Sequence, residues 1–334
     1  MQNRFYVKET LNHLLAHKTL SKDQAKAVLV AIGQGQYTPV QIAAFLTVYM
    51  MRSITVEELE GFRDAMLELC VALDVAGFDP MDVCGTGGDG KDTFNISTLS
   101  AFVVAGAGQA VVKHGNYGVS SLCGSSTVME YLGYQFTNDK SLIHKSLEEA
   151  NICFLHAPLF HPAMKNVAPV RKELGVKTFF NMLGPMVNPA FPRKQMVGVF
   201  SLELARLYAY LYQQTDKQFT IVHALDGYDE ISLTGSFKLV SNHAEQVFTP
   251  ADLGMETLRA DEILGGDTVH ESAGIFMAVL QNQATPAQRQ AVVANAAIAL
   301  RTARPNLSLT EAVETAGASL ASGAALQSFR RLLG

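Results

Sequence analysis

From Met81 onward, short apolar runs alternate with glycine-rich loops and helical stretches: Met81–Cys84, Ala110–Lys113, Ile152–Leu155, Gln195–Phe200 and Phe219–Ala224. This alternation is the strongest constraint on the fold. Runs that are apolar throughout, rather than at every second residue, suit strands covered on both faces. Strands separated by helices pair in parallel, because each crossover returns the chain to the same edge. The pattern predicts an α/β domain with a central, mostly parallel sheet flanked by helices. The stretch from Ser97 to Gly108 is apolar nearly all round, which predicts a buried helix.

Upstream the texture is helical. Ser21-x-x-Gln24, Thr38-Pro39-x-Gln41 and Thr55-x-x-Glu58 have the form of capping boxes, and Pro39 falls where its missing N–H costs nothing. Residues 1–72 therefore read as a small N-terminal helical domain and 73–334 as the larger α/β domain, with Ala72–Pro80 as the boundary. A chain of 334 residues has room for both. The region Thr285–Leu333 returns to alanine-rich helix, broken at Pro305.

Charge narrows the function. Lys and Arg number 26 against 31 Asp and Glu, a net −5, which argues against a general nucleic-acid or anionic-membrane binder. An anionic ligand would need locally concentrated positive charge or a metal. The near-apolar run Ala101–Val112 is interrupted by Gln109 and falls short of the ~20 residues that span a bilayer. The four cysteines lie far apart without a C-x-x-C pair, which speaks against zinc or a disulfide framework and for a cytoplasmic protein.

The segment Asp82–Asp92 (DVCGTGGDGKD) carries the strongest local signal. Gly85, Gly87 and Gly90 satisfy G-x-G-x-x-G, but a dinucleotide site wants an acid about 20 residues on. None stands between Asp92 and Glu130. Gly85–Lys91 also satisfies the start of a P-loop, yet Asp92 occupies the place of the metal-binding hydroxyl. A structural glycine turn is the plain alternative. The remaining reading is another kind of phosphate cradle. In it Gly85–Asp89 bares backbone N–H groups, and Asn95-Ile96-Ser97-Thr98 opens a helix whose N-terminus favours an anion. A second hydroxyl-rich turn follows the next strand: Lys113-His114-Gly115-Asn116, then Ser120-Ser121 and Gly124-Ser125-Ser126. Two cradles imply a ligand with two separate phosphate groups.

These motifs together resemble the anthranilate phosphoribosyltransferase family. The resemblance continues through Ala157–Met164, Val170-Arg171-x-Glu173-Leu174-Gly175, Asn181-x-Leu183-Gly184-Pro185-x-x-Asn188-Pro189 and Asp226-Gly227-Tyr228-Asp229-Glu230-Ile231-Ser232. Each motif is short, but their order spans most of the chain. The resemblance implies transfer of the phosphoribosyl group of phosphoribosyl pyrophosphate to anthranilate in tryptophan biosynthesis. It also implies a homodimer formed through the helical domains, a ligand site between the domains and a requirement for Mg²⁺. Part of 164–185 is expected to rejoin the helical domain.

Carried residue by residue, the resemblance gives phosphoribosyl pyrophosphate to Gly85, Gly88, Asp89, Thr93, Asn95, Ile96, Ser97, Thr98, Lys113, His114, Gly115, Asn116, Ser120, Ser121 and Ser125. It gives anthranilate to Gly85, Asn116 and Arg171, and Mg²⁺ to Ser97, Asp229 and Glu230. His161 joins His114 as a histidine to be placed, either lining the site or packed as structure. No residue is assigned as nucleophile or obligatory base. Two departures stand out: Tyr117 occupies the usual place of an Arg, and Thr127 that of an Asp. A pyrimidine nucleoside phosphorylase is the alternative of similar fold, but such enzymes are longer by a C-terminal domain. A silent relative that binds nucleic acid or protein would be expected to lose the Asp229-Glu230 pair, which is present.

Overall fold

The computed structural model describes residues 7–118 and 123–334. The chain forms two compact units. One comprises the chain up to Ala72 together with Ala157–Pro189; the other comprises Leu73–His156 and Ala190–Gly334. The stretch that returns to the helical unit is thus longer than the part of 164–185 that the resemblance implied.

The helical unit contains α1 (Val7–Leu15), α2 (Lys22–Gly33), α3 (Pro39–Met51) and α4 (Val56–Glu68). Ser21, Thr38 and Thr55 each form a reciprocal capping box with Gln24, Gln41 and Glu58. Each box satisfies two donors that a helix start leaves open. The core is aromatic: Phe45, Tyr49 and Phe62 meet Phe179 of the returning stretch, with Phe62 and Phe179 stacked at 4.6 Å. Glu58 is fully buried yet well satisfied. It accepts from the Leu20 N–H, the Thr55 N–H and the Tyr49 hydroxyl, each at 3.0 Å, and pairs with Arg52 at 2.5 Å.

The second unit is built on a seven-stranded sheet. In chain order its strands are β1 (Met81–Gly85), β2 (Val111–Gly115), β3 (Ile152–His156), β4 (Lys194–Gly198), β5 (Gln218–Ala224), β6 (Phe237–Ser241) and β7 (Glu245–Phe248). Their spatial order is β3-β2-β1-β4-β5-β6-β7. β1 to β5 run parallel, as the apolar runs predict, and β6 and β7 extend the sheet antiparallel. Those last two strands carry no clear sequence signal. β7 is almost wholly exposed, so no apolar pattern marks it.

The buried helix α5 (Ile96–Gly106) follows β1, with Ile96 and the run Thr98–Ala105 all buried. It packs within the same apolar cluster as the helix Pro286–Ala303, which ends two residues before Pro305. Among the described residues no helix is long and apolar enough to cross a membrane.

Candidate active site

The site is assembled at the C-terminal edge of the parallel strands, where ligands of open α/β sheets bind. Gly85 ends β1, Gly115 ends β2 and Gly198 ends β4, with Gly85 and Gly198 register partners. Asp229 and Glu230 lie just past the end of β5. Both glycines are there for space. A β-carbon on Gly85 would lie 2.6 Å from Asp229 Oδ2, and one on Gly198 would lie 1.5 Å from the Asp229 carbonyl oxygen. Gly87 and Gly88 are glycine for a different reason: both adopt left-handed backbone, with φ of 63° and 78°.

Two of the loop's N–H groups, expected from the sequence to be bare, are taken up within the chain. The Thr86 N–H donates to the Gly198 carbonyl at 2.9 Å, continuing the parallel ladder. The Gly87 N–H donates to Asp229 Oδ2 at 2.6 Å. At the start of α5 the Ser97 N–H donates to Glu230 Oε1 at 2.9 Å, and the Thr93 hydroxyl donates to Glu230 Oε2 at 3.2 Å. The Ile96 N–H is bonded to the Phe94 carbonyl at 2.6 Å, and the Ile96 side chain points into the core. The two carboxylates therefore take places that an anionic ligand would otherwise take. A helix N-terminus attracts whichever negative group is nearest, and here that group is part of the chain.

Asp89 faces the same pair. Its carboxylate accepts from the Lys91 N–H at 3.1 Å and lies 3.5 Å from the Asp229 nitrogen. Burial, then the charge of Asp89, pushes the Asp229 carboxyl up to about 7. Burial and the neighbouring Asp229 raise Glu230 well above the ordinary carboxylate range. Lys113 enters from β2 beneath them. It is fully buried, donates to the Val83 carbonyl at 2.7 Å and to Ser97 Oγ at 3.3 Å, and burial lowers its pKa.

The second turn is joined to the first. Asn95 Nδ2 donates to the Cys123 carbonyl at 2.9 Å. The Asn116 carbonyl accepts from Ser125 Oγ at 3.2 Å, and Gly115 leaves room for that hydroxyl, since a β-carbon there would lie 2.7 Å from it. His114 is buried, its backbone N–H directed at Asp82 Oδ1. Ser120 and Ser121 lie outside the described residues. Tyr117 packs edge-on against His156 at 4.9 Å, with its hydroxyl 3.4 Å from Glu130, and Thr127 lies in the helix Ser125–Tyr131. The hydroxyls of Thr86 and Thr98 are buried without a hydrogen-bond partner among the described residues.

Arg171 belongs to the helical unit, on the helix Ala168–Leu174. Its Nη2 donates to Asn181 Oδ1 at 3.2 Å, and the guanidinium lies over the Phe180 ring at 5.4 Å. Asn181 Oδ1 also accepts from the Thr178 N–H at 3.1 Å, which fixes the acceptor. Arg171 Nε is buried without a partner among the described residues. His161 also belongs to this unit, where burial holds its pKa down to about 4.

Sequence reasoning missed two residues here. Gly198, a glycine inside an apolar strand, carried a usable signal, because such a residue marks close backbone approach. Asn295 carried none that pointed to this site. It is buried on the helix Pro286–Ala303 and hydrogen-bonds both backbone groups of Ile231.

A parallel sheet whose glycine-ended strands meet buried carboxylates, a lysine and a helix N-terminus is the frame of a transferase for phosphorylated substrates. The chain matches the glycosyl transferase family a/b domain over residues 78–326 and the glycosyl transferase family helical bundle domain over residues 8–70. It is 61% identical over 326 residues to the anthranilate phosphoribosyltransferase of Christiangramia forsetii, covering 98% of each chain. The crystal structure of the Thermus thermophilus anthranilate phosphoribosyltransferase is similar at TM-score 0.90 and 34% identity, covering 97% of this chain and 98% of that one. The Saccharomyces cerevisiae enzyme in complex with phosphoribosyl pyrophosphate and Mg is similar at TM-score 0.90 and 27% identity, covering 98% of this chain and 96% of that one. The chain belongs to the anthranilate phosphoribosyltransferase family of glycosyl transferases.

Proposed function

We infer that this chain transfers the phosphoribosyl group of 5-phosphoribosyl 1-pyrophosphate to the amine of anthranilate in tryptophan biosynthesis. The products are N-(5-phosphoribosyl)anthranilate and pyrophosphate. The observation that carries the reading is the convergence of Lys113, Ser97 and the Asp229-Glu230 pair where β1, β2 and β4 end.

The phosphates fall to Gly85, Gly88, Asp89, Thr93, Asn95, Ile96, Ser97, Thr98, Lys113, His114, Gly115, Asn116 and Ser125, with Ser120 and Ser121 in the same roster. Ile96 stays in this set only as the residue that opens α5, since its side chain is buried in the core and its N–H is bonded to the Phe94 carbonyl. The unpartnered hydroxyls of Thr86 and Thr98 suit phosphate oxygens. Arg171 takes the anthranilate carboxylate through its planar fork, with Gly85 and Asn116 as further contacts.

Ser97, Asp229 and Glu230 would hold Mg²⁺, and they fit it. All three offer hard oxygen, and two buried carboxyls raised by their own proximity are the groups that a divalent cation would hold ionised. Among the described residues no three of His, Cys, Asp and Glu form a metal site, so substrate phosphates would complete the shell. When bound, Mg²⁺ would offset negative charge on the pyrophosphate leaving group.

The remaining chemistry belongs to the chain. Cleavage of the C1–pyrophosphate bond builds negative charge on the leaving group, and Lys113, beside Ser97 at the end of β2, is the cation that would offset it. The amine of anthranilate is an aniline, neutral at pH 7, so orientation matters more than deprotonation. No side chain is given the part of nucleophile or obligatory base.

The chain acts as a homodimer through its helical unit. α3 leaves Val40 and Met51 79% and 84% exposed, beside Met50, an apolar face suited to a second copy. Four unbridged cysteines are in keeping with a cytoplasmic setting. Loss of anthranilate fluorescence on mixing with phosphoribosyl pyrophosphate and Mg²⁺ tests the reading. Absence of turnover at every Mg²⁺ concentration overturns it, and phosphorolysis of uridine or thymidine would replace it with the nucleoside phosphorylase.

A further inference from the structure

We propose that Asn295 is a positioning residue that sets the Asp229-Glu230 backbone for binding of phosphoribosyl pyrophosphate with its cation. The inference rests on the functional reading above. Asn295 is 1% exposed, within a helix segment otherwise made of Ala, Val, Ile and Leu. An amide in such surroundings is costly unless every polar atom is paired. Here Oδ1 accepts from the Ile231 N–H at 3.0 Å, while Nδ2 donates to the Ile231 carbonyl at 2.9 Å and to the Ala291 carbonyl at 2.8 Å. The side chain thus serves Ile231 as a neighbouring strand would, at a point beyond the end of β5.

Ile231 directly follows Glu230. On the other side, the Asp229 carbonyl sits in the notch that Gly198 leaves. The carboxylate pair is therefore fixed at both flanks, by a glycine seat before it and by the Asn295 clasp after it. Alanine at 295 would remove the carboxamide and leave the Ile231 N–H and carbonyl buried and unpaired. The backbone would then turn to find other partners, carrying Glu230 away from Ser97.

Asn295→Ala and Asn295→Asp test this. The aspartate keeps the acceptor for the Ile231 N–H and loses the amide donors. Calorimetric titration with phosphoribosyl pyrophosphate, without anthranilate, is run across a Mg²⁺ series on wild type and both variants. The expected result is at least tenfold weaker binding with a raised Mg²⁺ requirement in Asn295→Ala, a loss at least as large in Asn295→Asp, whose carboxyl would face the Ile231 and Ala291 carbonyls, and KM for anthranilate changed less than twofold. Hydrogen exchange should accelerate in residues 229–233 while β1 to β4 stay protected. If Asn295→Ala does not fold, Asn295→Asp decides alone. Folded variants with wild-type Mg²⁺ dependence and affinity overturn the proposal, even if exchange accelerates. A wild type that binds no phosphoribosyl pyrophosphate overturns the functional reading instead, and unaltered exchange in residues 229–233 would then overturn the clasp itself.

Discussion

Gly198 and Asp229 touch so closely that a β-carbon on the first would lie 1.5 Å from the carbonyl oxygen of the second. No side chain rotation can relieve a clash with main chain. Gly198→Ala is therefore expected to force the Asp229 segment outward and to destabilise the fold by about 1–3 kcal/mol, the usual cost of overpacking. Gly85→Ala meets the Asp229 carboxylate at 2.6 Å and the Asp229 carbonyl only at 3.7 Å, so relief requires the side chain to leave the Gly87 N–H and not the backbone to move. That variant should lose less of its urea midpoint than Gly198→Ala and require more Mg²⁺ for half-maximal turnover. Equal midpoints for the two variants would contradict this.

Lys113 is the buried cation of the site. Lys113→Met is expected to lower kcat by about 10²–10³, the scale seen when a donor to developing charge is removed. Lys113→Arg should not restore it, because the larger, rigid fork has no room where Nζ now reaches the Val83 carbonyl at 2.7 Å. Steady-state rates of both variants check the point, and recovery of activity by arginine would count against it.

The Asp229 carboxyl supplies a pH effect of definite sign. Its ordinary value is 3.8 and in the fold it is pushed up to about 7, so the native state holds a proton that the unfolded chain releases. Between those values this group makes the ligand-free protein more stable as pH falls and less stable as pH rises. Asp229→Asn should raise the ligand-free thermal midpoint at about pH 8 and weaken this pH dependence, with buried Glu230 retaining its own share, while turnover with Mg²⁺ collapses. A midpoint that drops at that pH would contradict the assignment.

In the helical unit, Glu58 joins the Leu20 turn, the start of α4, Tyr49 and Arg52. Truncating one partner of a buried ion pair leaves the other side uncompensated, at a cost of about 3–5 kcal/mol. Glu58→Ala is expected to lose that much in urea unfolding. A loss below about 1 kcal/mol would mean that solvent reaches the network.

The proposed dimer makes a separate demand. Met51→Glu and Val40→Glu place charge on an exposed apolar face, so each variant should stay folded and sediment as a monomer where wild type sediments as a dimer. Unchanged sedimentation of both would remove α3 from the interface.

Much of the fold is readable from the chain's residue order alone. β1 to β5 betray themselves because helices cover both faces, so Met81-Asp-Val-Cys84 and its counterparts lack polar alternation. The capping boxes at Ser21, Thr38 and Thr55 are local chemistry, and local chemistry is what sequence encodes most directly. β7 has neither property. The return of 157–189 was also hidden, because helical periodicity reports that a segment is a helix and not what it packs against. In the site, the kinds of residue were legible and their pairings were not. Glu230 reaches the Ser97 N–H across 133 residues, and Asn295 reaches Ile231 across 64. Neither spacing has a period to detect.

Those sequence separations also govern when the molecule acquires its chemistry. The cradle loop and α5 occupy the first third of the chain, but the groups that complete them arrive after β5, and the clasp on that segment arrives later still. A nascent or truncated chain ending before the helix Pro286–Ala303 holds every glycine of the loop and lacks the Asn295 clasp on the carboxylate pair. On that proposal substrate affinity belongs to the finished α/β unit, because the sheet closes with β7 while Asn295 arrives only with the later helix. Binding energy from the phosphates is returned to the whole unit as stability, so ligand protects strands far from the ligand as well as the loop that touches it.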